Sequence, residues 1–407
     1  MDRAVYMGLM IFALGVLTAR SFRWDLFFTR NVAFAMFLSF ALVSAVWSDF
    51  TLISLKRWFR DMGNYLMILM VLTEPFPTEA IRVVVRRLCF LLIPLSIVLI
   101  KYYPQLGRVY DRWAGTALYS GATTSKNMLG VLCMISGLFF LWDTLKQIRG
   151  PKTRERSRII LLNCTLMLMT LWLLSIANSK TSSICLVIGS VIILASQTKV
   201  VEKYPTILKV AVPTIVLAYV FTETVLGIDV TAVIARLVGR DPSLTGRDHI
   251  WRVVLSMGTN PLVGTGYESF WLGPRLLEAW SRAGNGLNQA HNGYLEVYLN
   301  LGMIGLCLLG WFLVSSFQVI WRNWVTSGFG PFNVALWCIL MFYNVTEAAF
   351  KTQFVWLLFL FGALDVPRQL ILSAERAISQ QVGLPRAKKR PQSEQAEEEQ
   401  CYWFVRK

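Results

Sequence analysis

The chain has 407 residues, of which 55% are hydrophobic, 13% aromatic and only 16% charged, with a formal net charge of +16. A soluble domain carries about 25% charged residues, and a disordered chain is far more polar than this one. The seven cysteines form no CxxC pair and there are two histidines, so the sequence indicates neither a secreted disulfide scaffold nor a zinc site. This composition predicts an all-α polytopic membrane protein.

Apolar runs recur along the chain at close to the length that a membrane-spanning helix needs, about 20 residues. We expect about 11 transmembrane helices, within a range of about 10–12. The predicted spans are 4–19, 31–47, 62–73, 88–100, 127–142, 159–177, 182–196, 210–221, 293–319, 332–346 and 353–365. The first run is short and follows Asp2 and Arg3, so a signal peptide is the alternative interpretation there.

The predicted spans divide the chain into four parts. Residues 1–221 hold the first eight helices, and residues 222–292 form a large outward loop. Residues 293–365 hold helices nine to eleven. The remaining residues, 366–407, are polar and highly charged, which is typical of a disordered tail.

The basic residues predict the orientation of these helices. No Lys or Arg falls inside a predicted span, and alternate loops place 24 of the 40 basic residues on one side. The loop 143–158 is the most basic of them. Because cytoplasmic loops carry the excess of Lys and Arg, we expect the N-terminus outside and the C-terminus in the cytoplasm.

The outward loops nevertheless keep cations that this topology disfavours. Arg57 and Arg60 precede the third span, and Lys126 precedes the fifth. Lys180 lies in a very short turn between the sixth and seventh spans. Each cation alone is equally well explained as an anchor at a helix end. As a group they predict an outward-facing site for an anionic substrate.

The segment 222–292 predicts a folded helical cap rather than a linker. Thr245 is the expected N-cap of a helix, with Asp248 three residues on, and Asn260-Pro261 is the expected end of that helix. A second helix is expected from Pro274 to Arg282.

Two residues of the cap are candidates for chemistry. His291 lies directly before the ninth span, for which Asn292 is the expected N-cap, and a histidine there can serve as a general base. Arg247 falls in the first turn of the cap helix, where its planar fork can bind phosphate oxygens. The alternatives are a structural histidine and a surface salt bridge, and we expect His249 to be structural.

Six short motifs follow one another in a fixed order around the large outward loop. They are Ser125-Lys126-Asn127, Ser179-Lys180-Thr181, Thr245-Gly246-Arg247, Asn260-Pro261-Leu262-Val263-Gly264-Thr265-Gly266-Tyr267, His291-Asn292-Gly293-Tyr294-Leu295-Glu296 and Leu301-Gly302-Met303-Ile304-Gly305-Leu306. Their order and spacing resemble the bacterial O-antigen ligase and polysaccharide polymerase superfamily, in particular its exopolysaccharide-production branch. The resemblance covers roughly residues 40–365.

The resemblance implies a membrane glycosyltransferase of the GT-C type that uses no metal and no cofactor. Such enzymes act at the periplasmic face of the bacterial inner membrane. They take glycan from undecaprenyl pyrophosphate and transfer it to a glycan or lipid acceptor. A chain-length regulator and a flippase are the implied protein partners, and no nucleic acid partner is expected.

The resemblance also implies roles for single residues. His291 corresponds to the proposed catalytic base, and Arg247 to one of two arginines that hold the pyrophosphate. The second arginine corresponds to Lys180, which keeps the charge but loses the bidentate fork. Lys126 is a further pyrophosphate candidate. The candidates for binding substrate or acceptor are Asn292, Tyr294, Glu296, Arg57, Arg60 and Tyr267.

The sequence leaves alternatives to a polymerase open. An O-antigen ligase that joins finished glycan to lipid A core is the first. A polysaccharide transporter or flippase is the second, although the sequence shows no internal repeat of the kind that transporters carry. The spans contain few acids, and Glu296 and Glu347 lie near span ends, so a buried carboxylate proton relay of the transporter kind is only weakly supported.

Overall fold

The protein is mostly helical in the parts of the chain that the structure describes. The computed structural model describes residues 3–110, 115–224, 247–324, 328–351 and 353–366. The predicted N-cap Thr245, the side chain of Asp248 and the predicted tail beyond residue 366 lie outside the described residues.

The described α-helices are numbered here in chain order. They are α1 Arg3–Ala19, α2 Trp24–Arg30, α3 Val32–Val43, α4 Thr51–Leu72, α5 Pro77–Tyr102, α6 Pro104–Gly107, α7 Lys126–Arg149, α8 Arg154–Ala177, α9 Lys180–Ala195, α10 Lys199–Lys203, α11 Thr206–Thr224, α12 Arg247–Leu255, α13 Gly273–Ala283, α14 Gly293–Arg322, α15 Gly330–Thr346 and α16 Phe354–Ala363. A 3-10 turn, Ser44–Trp47, continues α3. Two short antiparallel strands, β1 Arg108–Tyr110 and β2 Ala117–Tyr119, pair with Val109 opposite Leu118.

Each predicted apolar run falls on one of these helices. Within the described residues, α5, α7, α8 and α14 are each long and apolar enough to cross a membrane. A fifth span results if α1 and α2, which meet at an angle of 100°, count as one. The other apolar helices are shorter, so the prediction of 11 spans remains a prediction, as does the GT-C architecture.

Small residues let α7 and α9 approach closely at the centre of the protein. A Cβ atom on Gly130 of α7 would lie 2.5 Å from the side chain of Ser179, and one on Gly137 would lie 2.9 Å from Leu186. Glycines at such positions allow helix backbones in membrane proteins to pack without a spacer. This close packing places the beginning of α7 beside the beginning of α9.

Helix α14 is broken at Gly302, which has φ 64° and ψ −165°. A Cβ atom on Gly302 would lie 2.3 Å from the carbonyl carbon of Leu262, so only glycine fits this close approach. The break leaves backbone groups without their usual partners inside the helix, and these groups must be satisfied elsewhere.

The segment 260–267 supplies those partners. Four backbone hydrogen bonds join it to the broken turn, two on each side of Gly302. They run from Thr265 N to Leu299 O (3.1 Å), from Gly266 N to Asn300 O (2.9 Å), from Met303 N to Pro261 O (2.9 Å) and from Ile304 N to Leu262 O (3.1 Å). The two sequence motifs 260–267 and 301–306 are therefore one structural unit.

The described part of the cap contains two helices around a small core. Helix α13 covers the expected Pro274–Arg282 range and adds one residue at each end. Helix α12 ends at Leu255, before the expected stop at Asn260, and Gly258 follows with φ 64°, a left-handed conformation that an α-helix cannot continue. The prediction for the end of α12 was therefore wrong by about one turn.

Candidate functional site

Glu347 lies at the centre of the site, directly after α15, and its side chain is only 9% exposed. One carboxylate oxygen, Oε1, accepts hydrogen bonds from Nη2 of Arg247 at 2.9 Å and from Nδ2 of Asn127 at 3.0 Å. The other, Oε2, lies 3.3 Å from Nδ1 of His291. A single carboxylate thus joins three segments that are far apart in the chain.

Three helices begin around this carboxylate. Asn127 belongs to the first turn of α7, and α14 begins two residues after His291. The link to α9 is the hydrogen bond between the hydroxyls of Thr181 and Thr346, 2.8 Å long. Helix beginnings present unpaired N–H groups and partial positive charge, so they favour an anion.

The sequence prediction for the start of α14 is confirmed. The Oδ1 atom of Asn292 accepts a hydrogen bond from the backbone N–H of Leu295 at 3.0 Å, which makes Asn292 the N-cap. Its side-chain oxygen is thereby committed to the helix. The cap fixes the direction in which the chain leaves His291.

His291 has a strained backbone, with φ 52°. A non-glycine residue is uncommon in this left-handed region, and such strain concentrates at functional sites. Its side chain is 27% exposed, which leaves it accessible. When Nδ1–H donates to Glu347, Nε2 carries the free electron pair and can accept a proton.

The two predicted lysines lie at helix beginnings near this site. Lys180 is the first residue of α9, next to Thr181, and Lys126 is the first residue of α7, next to Asn127. Asn127, next to Lys126, binds Glu347, and Thr181, next to Lys180, binds Thr346, the residue before Glu347. Their role in binding pyrophosphate remains a prediction.

Tyr294 follows His291 closely in the sequence, and its described contacts are with Met341 and Phe350. Its hydroxyl donates to the carbonyl of Met341 at 3.2 Å, and its ring packs edge-on against Phe350 at 5.0 Å. These contacts fasten α14 to α15. The contacts give Tyr294 a packing role, and nothing in them supports its predicted role as a substrate contact.

Four other predicted residues belong to a second polar cluster beside the first. The hydroxyl of Tyr267 donates to Oδ2 of Asp61 at 2.7 Å, and Nε of Arg60 donates to Oδ1 of the same carboxylate at 3.3 Å. Arg57 donates to the backbone carbonyl of Glu268. The contacts of Tyr267 with Asp61 and of Arg57 with Glu268 connect α4 to the segment that follows Gly266.

Glu296, the fourth, is buried in α14 with 5% of its side chain exposed. It accepts hydrogen bonds from Nε1 of Trp271 at 2.9 Å and from the backbone N–H of Ala290. Lys351 Nζ lies 3.9 Å from Glu296 Oε2 and 3.4 Å from Oε1 of Glu268. Burial by itself lowers the pKa of Lys351, but the two carboxylates outweigh it and the pKa is raised.

His249 makes a structural contact, as expected. Its Nε2 lies 2.7 Å from the carbonyl oxygen of Arg282, which joins α12 to α13. Trp251 on the same helix donates from Nε1 to the carbonyl of Ala290 at 2.8 Å. The cap helices therefore hold the chain directly before His291 in place.

Sequence reasoning missed the central role of Glu347. The available signal was an acid directly after an apolar helix, where burial is costly unless the charge finds a partner. The structure also offers no three clustered His, Cys, Asp or Glu side chains for a metal ion within the described ranges. Metal independence remains a prediction.

Comparison with known proteins identifies two similarities. Residues 164–310 match the protein family described as O-Antigen ligase, a range that includes Lys180, Arg247 and His291. A stretch of 88 residues is 38% identical to the exopolysaccharide production protein ExoQ of Rhizobium meliloti (strain 1021). This match spans 19% of the chain and 20% of that relative. The two matches confirm that the chain resembles the O-antigen ligase and polysaccharide polymerase superfamily, near its exopolysaccharide-production branch.

Proposed function

We propose that the protein is a glycosyltransferase of the bacterial inner membrane. Its substrate is glycan carried on undecaprenyl pyrophosphate, which it transfers or polymerises at the periplasmic face. The observation that carries this proposal is the shared contact of Arg247 and His291 with Glu347. A phosphate-binding side chain and a potential base meet there at one buried carboxylate.

The donor's pyrophosphate fits the positively charged part of this site. Arg247 is 19% exposed, and its guanidinium carries five N–H donors, so it can bind phosphate oxygens beside Glu347. The beginnings of α7, α9 and α14 add partial positive charge. Lys126 at the beginning of α7 and Lys180 at the beginning of α9 supply two further cations.

The transfer step then needs one base and one stabilised leaving group. Nε2 of His291 accepts the proton of the acceptor hydroxyl as its oxygen bonds to the anomeric carbon of the donor. The bond from that carbon to pyrophosphate breaks, and the departing oxygen keeps the electron pair. Arg247 and the other cations stabilise the charge that develops on pyrophosphate. Glu347 stabilises the imidazolium and keeps the ring oriented.

Purified protein in lipid nanodiscs tests the proposal directly. Supplied with lipid-linked oligosaccharide, the wild-type protein should form new glycosidic bonds, seen as longer glycans or as glycan on an added acceptor. A protein that forms no bond but moves lipid-linked glycan across a vesicle membrane would instead be the transporter.

Two versions of the reaction have support from different similarities. The likeness to an exopolysaccharide production protein favours polymerisation, and the match to the O-Antigen ligase family favours transfer to lipid A core. In a deletion strain, loss of a polymerase leaves single lipid-linked repeat units. Loss of a ligase leaves long lipid-linked polymer. A flippase and a chain-length regulator are proposed partners for the polymerase version.

A further inference from the structure

A pocket with charged and apolar lining lies beside the Glu347 site, between α3, α4, the first turns of α14 and the segments 267–268 and 348–351. Its chemistry comes from Tyr65, Tyr267, Glu268, Glu296, Asn300 and Lys351. Phe37 and Phe350 add apolar wall. Nothing in the transfer step derived above uses these side chains.

The backbone that holds His291 and Glu347 continues directly into the wall of this pocket. Gly293 and Ala348 both line it, two residues after His291 and one residue after Glu347. Consecutive Cα atoms lie 3.8 Å apart, so the pocket begins within about 8 Å of the backbone of both residues. The pocket wall and the Glu347 site therefore share two stretches of backbone.

The pocket carries both signs of charge at accessible side chains. Lys351 and Glu268 are 25% and 22% exposed, and their charged atoms lie 3.4 Å apart. An ammonium group has three donors and a carboxylate about four acceptor positions, so a pair of this kind keeps capacity for a bound molecule. Arg57 holds the backbone of Glu268 in place from α4.

Glu268 also has a strained backbone, with φ 54°. Among the described residues, it shares this feature with His291, Ser21 and Asn178 outside glycine. Such strain persists only where surrounding contacts impose it, and it concentrates at binding and catalytic sites. The strain at Glu268 supports a binding role that is independent of the Glu347 cluster.

We propose that this pocket binds the acceptor glycan by the hydroxyl groups of one sugar ring. Sugar hydroxyls donate to the carboxylate of Glu268 and accept from the ammonium of Lys351, and the ring faces pack against Tyr65, Tyr267 and Phe350. The inference rests on the proposed transfer function, because the bound acceptor supplies the hydroxyl whose proton His291 accepts.

Other ligand chemistries fit this pocket less well. The isoprenyl chain of the donor lipid would shield the Glu268–Lys351 pair from water and offer it no hydrogen bonds of its own. A phosphate would meet the carboxylates of Glu268 and Glu296, and a cation would meet Lys351. A neutral polyol satisfies both signs of charge at once.

Binding is tested without turnover, by saturation-transfer NMR on the protein in nanodiscs. The probe is the single-repeat oligosaccharide released from the host's own lipid-linked glycan. Glu268→Gln keeps the shape of the side chain but removes its charge, and it should weaken binding roughly tenfold. The matched control is Glu278→Gln on α13, where the carboxylate is exposed and pairs with Arg282; it should bind like the wild type.

The transfer assay gives a second measurement on the same variants. Glu268→Gln should raise the acceptor concentration for half-maximal rate roughly tenfold and leave the half-saturating donor concentration unchanged. Lys351→Gln should act in the same direction and serves as the second variant if Glu268→Gln is unstable in thermal unfolding.

The outcomes separate this inference from the proposed function. If the wild-type protein binds the oligosaccharide through Glu268 but forms no bond, the pocket stands and the transfer function is wrong. If the wild-type protein transfers glycan and Glu268→Gln and Lys351→Gln both use the acceptor normally, the pocket assignment is wrong. Failure of the wild-type protein to bind the oligosaccharide at all would also overturn it.

Discussion

At the residue scale, the two carboxylate oxygens of Glu347 contact different side chains, those of Arg247 and His291. Oε1 binds Arg247 and Oε2 faces His291, so in the proposed mechanism the carboxylate competes with pyrophosphate for Arg247 and orients His291. Glu347→Gln should therefore lower kcat about a hundredfold or more, because an amide can hold the imidazole in the wrong tautomer. Donor affinity should stay the same or rise. Measuring kcat and donor binding separately distinguishes this positioning role from simple loss of structure, which would lower both.

The general base is tested by His291→Ala. Without it, transfer should slow by roughly 10²–10⁴-fold while the lipid-linked donor still binds. His249→Ala is the matched control, because its ring contacts the carbonyl of Arg282 and lies on the cap helices. A His291→Ala protein with near-normal turnover would exclude this residue as the base.

The proposed pyrophosphate site is tested at its cations. Arg247→Ala should weaken both donor binding and turnover, and Arg247→Lys should recover only part of each, because lysine lacks the planar fork.

Lys180 contributes a positive charge without a fork. Because arginine keeps that charge and alanine removes it, Lys180→Arg should retain activity and Lys180→Ala should lose most of it. Full activity of Lys180→Ala at a normal protein level in membranes would remove Lys180 from the site.

At the element scale, the broken turn of α14 and the segment 260–267 hold the cap against the helices. Gly302→Ala places a Cβ atom at 2.3 Å from the backbone of Leu262 and imposes a left-handed conformation on alanine. We expect it to lower the free energy of unfolding by at least about 2 kcal/mol. Thermal unfolding of the purified protein in detergent measures the change.

Gly310 is the matched control for this prediction, because it lies in the same helix and a Cβ atom there meets nothing within 4 Å. Gly310→Ala should be neutral or stabilise the protein by up to about 1 kcal/mol, the helix preference for alanine. Equal stability of the two alanine variants would show that the break does not depend on glycine.

At the scale of the whole molecule, the site residues all come from segments that the charge pattern assigns to the outward side. Asn127, Thr181, Arg247, His291 and Glu347 meet there. Ion pairs from segments assigned to the cytoplasmic side lie elsewhere, such as Arg82 and Arg86 with the buried Asp143, Arg20 with Glu74, and Arg149 with Glu202. This separation supports the proposed topology.

The proposed orientation predicts which positions an impermeant thiol reagent reaches in intact cells. Cysteine at Ser281, in the cap, should be labelled from outside, and cysteine at Lys152, in the most basic loop, should be labelled only after the cells are opened. The wild-type chain gives the background from its native cysteines. Labelling at 152 with protection at 281 would reverse the orientation and place the site in the cytoplasm.

Local features of the chain were predictable from short stretches of sequence. The apolar runs located the helices because a backbone in an apolar environment must satisfy its own hydrogen bonds. Asn292 indicated the start of α14, because an N-cap depends on neighbouring residues only. The end of α12 was missed since several residues in a row could stop that helix.

The sequence by itself determined the class of protein, the approximate helices, the family relationship and the presence of His291 and Arg247 near helix beginnings. Only the tertiary structure decided that both side chains bind Glu347, from which they are separated by 56 and 100 residues. Hydrophobic periodicity shows which face of a helix is buried, but it carries no information on which helix ends meet. The close packing at Gly130 and the backbone hydrogen bonds on either side of Gly302 decide which helix ends meet, because they set distances between segments that are remote in the chain.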